Sequence, residues 1–428
     1  METSHNLINL DSDVNVHLEN KKISRHFFVF IWLMYTAICL SKSNFNGALA
    51  SIVSEGLLTK SQTGLITAVF YGVYAPLQII GGMIADRHSP EILIKIGFIG
   101  AAISNAIIFF NQSYPVMLAA WAFNGMIQFG IWPGIFKIIS AQLVRSDRKM
   151  MSYYISFPAT AGLMISYLLV AILPHWSFCF LISAVLLLFF AVGLHIYEKH
   201  LNPYMKWDRF ENVKTEHLTM PTTKAVKGIF LKSGFFFVVV AVLFSMTVNQ
   251  SKRSLASIMF VETYDNVSPS LGNILTIVLL IAGLVGTVLA GKIIKFVKNQ
   301  LLSSAIIFTV ILPLLFLCTF VGNVSITVMV AFLCGTIVLE SIEALIRTNY
   351  TMTFAKYGKS ATAAGILNAA MSMSYMLAAY IIPLLVESFG WKAVIFIWLG
   401  MMTLSVCLLL IASVNHKIFE KKQANLQE

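Results

Sequence analysis

The chain is 428 residues long, with 58% apolar and only 11% charged residues, a mean hydropathy of +0.80 and a formal net charge of +11. Soluble domains carry roughly 25% charged residues, so this composition excludes an ordinary water-facing surface and makes lipid the expected solvent for most of the outside. The positive excess is scattered through short loops and does not read as a nucleic-acid footprint. Cys39, Cys179, Cys318, Cys334 and Cys407 all fall inside apolar runs. An odd, scattered set of cysteines gives neither a disulfide framework nor metal-ligand spacing, and no metal or cofactor is expected.

In chain order, residues 1–25 form a polar, mildly acidic tail (Asp11, Asp13, Glu19) without a cleavable signal pattern, so the first apolar run is expected to stay as a helix. Six apolar runs follow at about 26–53, 61–85, 90–110, 115–143, 150–173 and 176–197. Six more lie at about 229–262, 270–294, 300–321, 324–347, 361–386 and 391–414. Each can cross a hydrocarbon layer of ~30 Å as a helix. Between the two sets, residues 198–228 carry Pro203, Pro221 and mixed charge, and read as a linker with an amphipathic piece; residues 415–428 are a short tail. The expected fold is an all-α integral membrane protein of twelve transmembrane helices in two six-helix bundles, 26–197 and 229–414.

Lysine and arginine favour one set of loops: Lys21, Lys22 and Arg25; Arg87; Arg145, Arg148 and Lys149; Lys295 and Lys298; Lys356 and Lys359; Lys417, Lys421 and Lys422. The opposite loops hold Lys60 and Lys392. This bias places both termini and the linker in the cytoplasm and the protein in the cytoplasmic (inner) membrane. The bundles also repeat each other. Leu49-Ala50-Ser51-Ile52 near the end of span one recurs as Leu255-Ala256-Ser257-Ile258 near the end of span seven, and Gly82-x-x-x-Asp86 corresponds to Gly291-x-x-x-Lys295. Such duplicated, pseudo-symmetric halves suit a solute site at the midplane between them.

The break between spans two and three reads Gly82-Met83-Ile84-Ala85-Asp86-Arg87-His88-Ser89, and Ser89-Pro90-Glu91 is a helix start: a capping hydroxyl, a proline in the first turn and an acid at the positive dipole end. Gly-x-x-x-Asp-Arg at this place resembles the signature loop of the major facilitator superfamily, although Ser89, Pro90 and Glu91 stand where that family usually has glycine and basic residues. In span four, Asn124-Gly125-Met126-Ile127-Gln128-Phe129-Gly130-Ile131-Trp132-Pro133 resembles the organophosphate:phosphate antiporters, the glycerol-3-phosphate and hexose-phosphate carriers. Lys137 falls where that branch has an arginine. The resemblance implies alternating access, with Gly82, Asp86 and Arg87 as a gating motif. It also implies phosphate coordination by basic residues in spans one and seven and a histidine in span five. Here those positions hold Lys42, a residue near Val248 to Gln250, and Pro158. Lysine is a point charge, whereas arginine grips phosphate as a planar fork; a carboxylate-bearing anion fits this set as well as a phosphate ester.

Polar groups at membrane depth are the candidate site residues, because hydrocarbon penalises them unless they meet partners or a wet cavity. Lys42 lies ~24 Å along span one at 1.5 Å per residue, with Asn46 one turn further on the same face. Span seven offers Asn249, Gln250 and Lys252, followed by Arg253; Lys252 and Arg253 could instead both snorkel to the head groups. Tyr74 in span two, Asn124 and Gln128 in span four, and Asn368 and Tyr375 in span eleven complete the expected substrate-binding set. Glu340 in span ten has no partner within its own helix and is the proton-coupling candidate or a counter-ion for Lys42; Glu343 and Arg347 are spaced as an intrahelical pair. With no nucleotide loop, HExxH or nucleophile–histidine pair, an enzyme is not expected. The reading is a monomeric secondary transporter of a small, anionic organic solute. A proton-coupled symporter of organic acids and a non-transporting sugar-phosphate sensor are the alternatives.

Overall fold

A computed structural model describes residues 14–18, 20–87, 89–139, 143–144, 147, 151, 154–155, 157–201, 205–209, 229–354 and 360–424. Each of the twelve apolar runs carries helix. The first half contains α1 (Lys21–Ser54), α2 (Lys60–Arg87), α3 (Pro90–Phe110), α4 (Tyr114–Ile127), α5 (Ile131–Lys137), α6 (Pro158–Ile172) and α7 (Phe178–Leu201). A 3-10 turn at Gln128–Gly130 joins α4 to α5 within span four. The second half contains α8 (Phe235–Thr263), α9 (Pro269–Ile293), α10 (Gln300–Cys318), α11 (Ile326–Met352) and α12 (Ser360–Ala424). Helix α12 holds two spans, divided at Gly390, whose φ of 76° is a backbone setting that favours glycine.

Local chemistry sets the helix ends. The Asn20 side chain accepts from the Lys22 and Ile23 amides at 2.9 and 3.2 Å, and Ser268, Asn299 and Ser325 cap α9, α10 and α11 in the same way. Helix α3 begins at Pro90 with Glu91 in its first turn, as the sequence implies, but Ser89 occupies the cap without a side-chain hydrogen bond. The first and last helices run past their apolar stretches into basic flanks, to Lys21 and Ala424. Within the linker, Met205–Arg209 is a short strand, β2, paired antiparallel with β1 (Val14–Leu18) of the N-terminal tail. The expected amphipathic piece otherwise lies outside the described residues.

Eight helical stretches among the described residues are long and apolar enough to cross a membrane, one of them being the two-span 365–422 stretch. Their outer faces agree with lipid contact. Ile92, Ile96, Ile99, Ile103 and Ile107 form one stripe of α3 that is 40–51% exposed, a contiguous apolar surface that water would penalise. Inside, the first half is built on two apolar clusters, one around Phe27, Phe98 and Leu194 and one around Phe45, Trp121 and Phe180. A larger cluster fills the second half, and Leu49 and Ala50 of α1 dock into it.

The halves meet at the end away from the termini. Among the described residues, the side-chain bonds that cross between them are Lys60 to Glu262 at 2.8 Å, Ser61 to Glu387, Tyr167 to the Arg253 and Ser254 carbonyls, and Asn273 to the Gly47 carbonyl. Glu387 accepts from the Ser61 amide in the first turn of α2 at 2.8 Å, where a carboxylate also meets the positive helix end.

Small residues allow the closest helix approaches. A Cβ at Gly125 would sit 2.6 Å from the Phe70 carbonyl oxygen, and one at Gly286 would sit 2.5 Å from that of Val338. Backbone cannot yield as a flexible side chain can, so Gly125→Ala and Gly286→Ala are each expected to lower stability by about 1–3 kcal/mol. Thermal unfolding of the purified protein in detergent measures this; unchanged midpoints would mean that the helices separate freely.

Candidate functional site

The second-half side of the site is a closed polar network at membrane depth. Lys252, on α8, donates through Nζ to Glu340 Oε1 at 2.7 Å and to Thr336 Oγ1 at 2.9 Å, both on α11. The other carboxylate oxygen, Oε2, accepts from Asn249 Nδ2 at 2.6 Å. Asn249 Oδ1 accepts in turn from Arg253 Nε at 2.8 Å, and Arg253 reaches Ser341 Oγ at 3.3 Å. Lys252 and Glu340 are each 1% exposed, whereas Arg253 is partly open. A pair this deep is tolerable only because both ions are also hydrogen-bonded to neutral neighbours.

This geometry revises two expectations. Lys252 does not offer a free charge to the cleft, and Glu340 is not the counter-ion of Lys42: the two neutralise each other across α8 and α11. The open cation of span seven is Arg253, and it does not snorkel outward. Its guanidinium folds back one turn onto Asn249, which holds it near Tyr375 of α12.

On the first-half side stands Lys42 of α1. It is partly exposed and, among the described residues, has no carboxylate partner; its Nζ lies 6.0 Å from the centre of the Tyr35 ring, the outer limit of a cation–π contact. Tyr35 leans on Trp132 of α5 at 5.2 Å. Tyr71 and Tyr74 of α2 are within electrostatic reach of the ammonium, and Tyr74 stacks on Phe70 at 5.6 Å. Tyr71 meets Tyr375 edge-on across the halves at 5.5 Å, so the tyrosines link the surroundings of Lys42 to those of Arg253. Beyond that pair, towards the end away from the termini, Asn46, Gln250 and Tyr375 line a remnant cavity of about 20 Å³, room for about one water molecule. The cleft is therefore shut on that side.

The remaining candidates are placed differently. Asn124 and Gln128 are buried against each other, Gln128 Nε2 donating to Asn124 Oδ1 at 2.7 Å, with Asn124 Nδ2 left without a partner among the described residues. Asn368 is exposed on α12. Gly82, Asp86 and Arg87 occupy the last turns of α2, but the side chains there lie outside the described residues, as does that of Lys137. Glu343 and Arg347 form their i,i+4 pair at 3.5 Å inside the second half. Counting Lys42, Lys252 and Arg253 against Glu340 leaves an excess of two positive charges around the cleft among the described residues.

Sequence reasoning missed Thr336, Ser341, Tyr35 and Tyr167. Thr336 stands one turn before Glu340 on the same face and was findable on that ground. Tyr167 is a single hydroxyl in an apolar run, and only the approach of α8 gives it a role.

The sequence profile of the Major Facilitator Superfamily matches residues 31–357. The chain is 29% identical over 124 residues to the membrane sensor protein UhpC of Salmonella typhimurium, covering 29% of this chain and 28% of that one. It is 24% identical over 220 residues to the glycerol-3-phosphate transporter of Bacillus subtilis, covering 46% and 49%. The matched stretches thus span between about a quarter and a half of these curated relatives, which match the branch that the span-four segment resembles. A solved bacterial homologue of the human lysosomal transporter Spinster, in an inward-facing and unoccupied conformation, superposes with a TM-score of 0.73 at 15% identity, covering 93% of this chain and 97% of that one. At that identity the likeness speaks to the fold alone, and the fold is the major facilitator fold.

Removing one member of the buried pair leaves an uncompensated charge. Glu340→Leu is expected to destabilise the protein by roughly 3–5 kcal/mol, and Lys252→Met with Glu340→Leu to recover most of the loss. Thermal unfolding of the single and double variants reads this out; equal losses in both would mean that the pair contributes no mutual stabilisation.

Proposed function

The chain belongs to the Major Facilitator Superfamily, and on that premise we propose that it is a secondary active transporter moving a small organic anion across the cytoplasmic membrane by alternating access. The observation that carries this reading is the charge excess at Lys42 and Arg253, one from each half, beside a tyrosine-lined cleft. Like charges brought towards one another in a low-dielectric region repel. An anion between them replaces repulsion with two attractions and favours the state in which the halves close around it, a population shift driven by differential affinity. Arg253 supplies a planar fork for a phosphate or carboxylate, and Lys42 a mobile point charge. The two six-helix bundles, 26–197 and 229–414, are the moving bodies, with both termini cytoplasmic as the loop charges require.

Glu340, held at both oxygens by Lys252 and Asn249, serves in this reading as a fixed counter-ion, and exchange is the favoured mode. Counterflow of the anion should therefore persist when an uncoupler collapses the proton gradient, whereas its arrest would favour proton symport with Glu340 as carrier. The similarity to a membrane sensor protein supports a second reading, in which the same cleft binds its anion without moving it.

Proteoliposome counterflow with inorganic phosphate, glycerol 3-phosphate and a dicarboxylate as probes tests the proposal. Lys42→Ala and Arg253→Ala are each expected to reduce uptake of the accepted probe at least about ten-fold, the effect of losing one charge-assisted contact, while Lys392→Ala leaves it unchanged. Saturable binding with no flux for any accepted probe would sink the transporter reading and support the sensor.

A further inference from the structure

Two hydrogen bonds that cross between the halves end on the carbonyls of helices rather than on side chains. The Tyr167 hydroxyl, on α6, donates to the Arg253 carbonyl at 2.9 Å and lies 3.3 Å from that of Ser254, both on α8. Asn273, on α9, donates through Nδ2 to the Gly47 carbonyl of α1 at 3.0 Å, while its Oδ1 accepts from Ser257 Oγ at 2.5 Å. Tyr167 and Asn273 are both fully buried. Each half thus reaches into the other and holds that half's first helix. The two acceptors are also equivalent. Aligning Leu49-Ala50-Ser51-Ile52 with Leu255-Ala256-Ser257-Ile258 places Gly47 opposite Arg253.

A carbonyl inside a helix already accepts from the amide four residues on. Its second lone pair can take another donor, and a buried tyrosine or asparagine that lost this acceptor would be left unsatisfied in hydrocarbon. Both contacts lie beyond Lys42 and Arg253, on the shut side of the cleft, together with the Lys60–Glu262 and Ser61–Glu387 contacts. They differ from those outer contacts in one respect. The Arg253 carbonyl adjoins Ser254, and Gly47 adjoins Asn46, both residues of the cavity wall. A shift of either helix on binding an anion therefore moves the acceptor itself.

We propose that Tyr167 and Asn273 are paired positioning residues, a carbonyl clamp that ties the closed outer end of the cleft to the two helices carrying its cations. The inference rests on the alternating-access reading but concerns the conformational balance, which is measurable without any ligand. When the outer end opens, both bonds break. When it closes, Tyr167 fixes the depth of α8, and with it Arg253, while Asn273 fixes α1 one turn beyond Lys42.

The test is a pair of distance measurements between spin labels in the full chain, with the partly or fully exposed Cys334 and Cys407 replaced by serine. One pair, at Leu57 and Phe320, reports the outer end; the other, at Lys199 and Lys298, reports the inner end. Tyr167→Phe removes one oxygen and no volume. It is expected to raise the ratio of outer-open to outer-closed molecules about five-fold, the effect of one hydrogen bond of ordinary net strength, with the inner pair shortening in step. Asn273→Leu is expected to act in the same direction. If Asn273→Leu does not fold, Tyr167→Phe decides alone. Unchanged distributions in Tyr167→Phe overturn the proposal. So does lengthening at the outer pair without shortening at the inner one, since that describes local loosening only. Added inorganic phosphate is a separate arm: no response in the wild-type protein counts against the anion reading and leaves the clamp result standing.

Discussion

Hydrocarbon cannot solvate an ion, and the arrangement of this molecule follows from where it puts the few it carries at depth. A charge in a membrane-spanning helix must be paired, reach the head groups or face water. Lys252 takes the first course with Glu340, Glu343 and Arg347 also pair, Arg253 bonds to Asn249 and Ser341, and Lys42 stays partly exposed. The isoleucine face of α3 and the similar faces of α7 and α9 need no such device, because lipid suits them. The same rule explains the serines and threonines that bond back to carbonyls within their own helices, such as Thr36 to Trp32 and Ser43 to Cys39. Each hydroxyl finds its acceptor without leaving the helix.

Pairing Lys252 with Glu340 changes the chemistry of the cleft more than removing a charge would suggest. Both ions are held by neutral neighbours, Thr336 and Asn249, and Asn249 passes the constraint on to Arg253. The network thus orients a guanidinium that remains partly open, much as outer-sphere groups orient the ligands of a metal. Across the gap Lys42 lies among Cys39 and the tyrosines Tyr35, Tyr71 and Tyr74. One cation is a fixed fork and the other a compact point charge, so the two halves present different grips.

The closed end has its own logic. The ion pair of Lys60 with Glu262 and the hydrogen bond from the Ser61 amide to Glu387, at its rim, sit where water can replace them at little loss, which suits contacts that break and reform. Deeper in, Tyr167 and Asn273 bond to carbonyls at sites where water enters only if the halves part. The rim sets how readily the end opens, and the deeper contacts register the opening at the helices that carry the cations.

Hydropathy and proline–glycine punctuation determined the membrane class and the helix order, because the penalty for polar backbone and side chains in hydrocarbon acts on each segment separately. Lys42 and Glu340 were legible as unusual for the same reason: depth along one helix is a local property. Which cation stays open was not. Lys252 and Arg253 are adjacent in sequence and point 100° apart on a helix, and only the approach of α11 decides that the first meets Glu340 and the second, partly exposed, meets Ser341. Asn124 and Gln128, polar and deep, read as cavity groups, yet both are buried and bond to each other within span four, where Phe70 of α2 packs on the intervening Gly125. Partner choice among buried charges depends on distances of a few ångströms between helices far apart in the chain, and that information exists only once the bundle is packed.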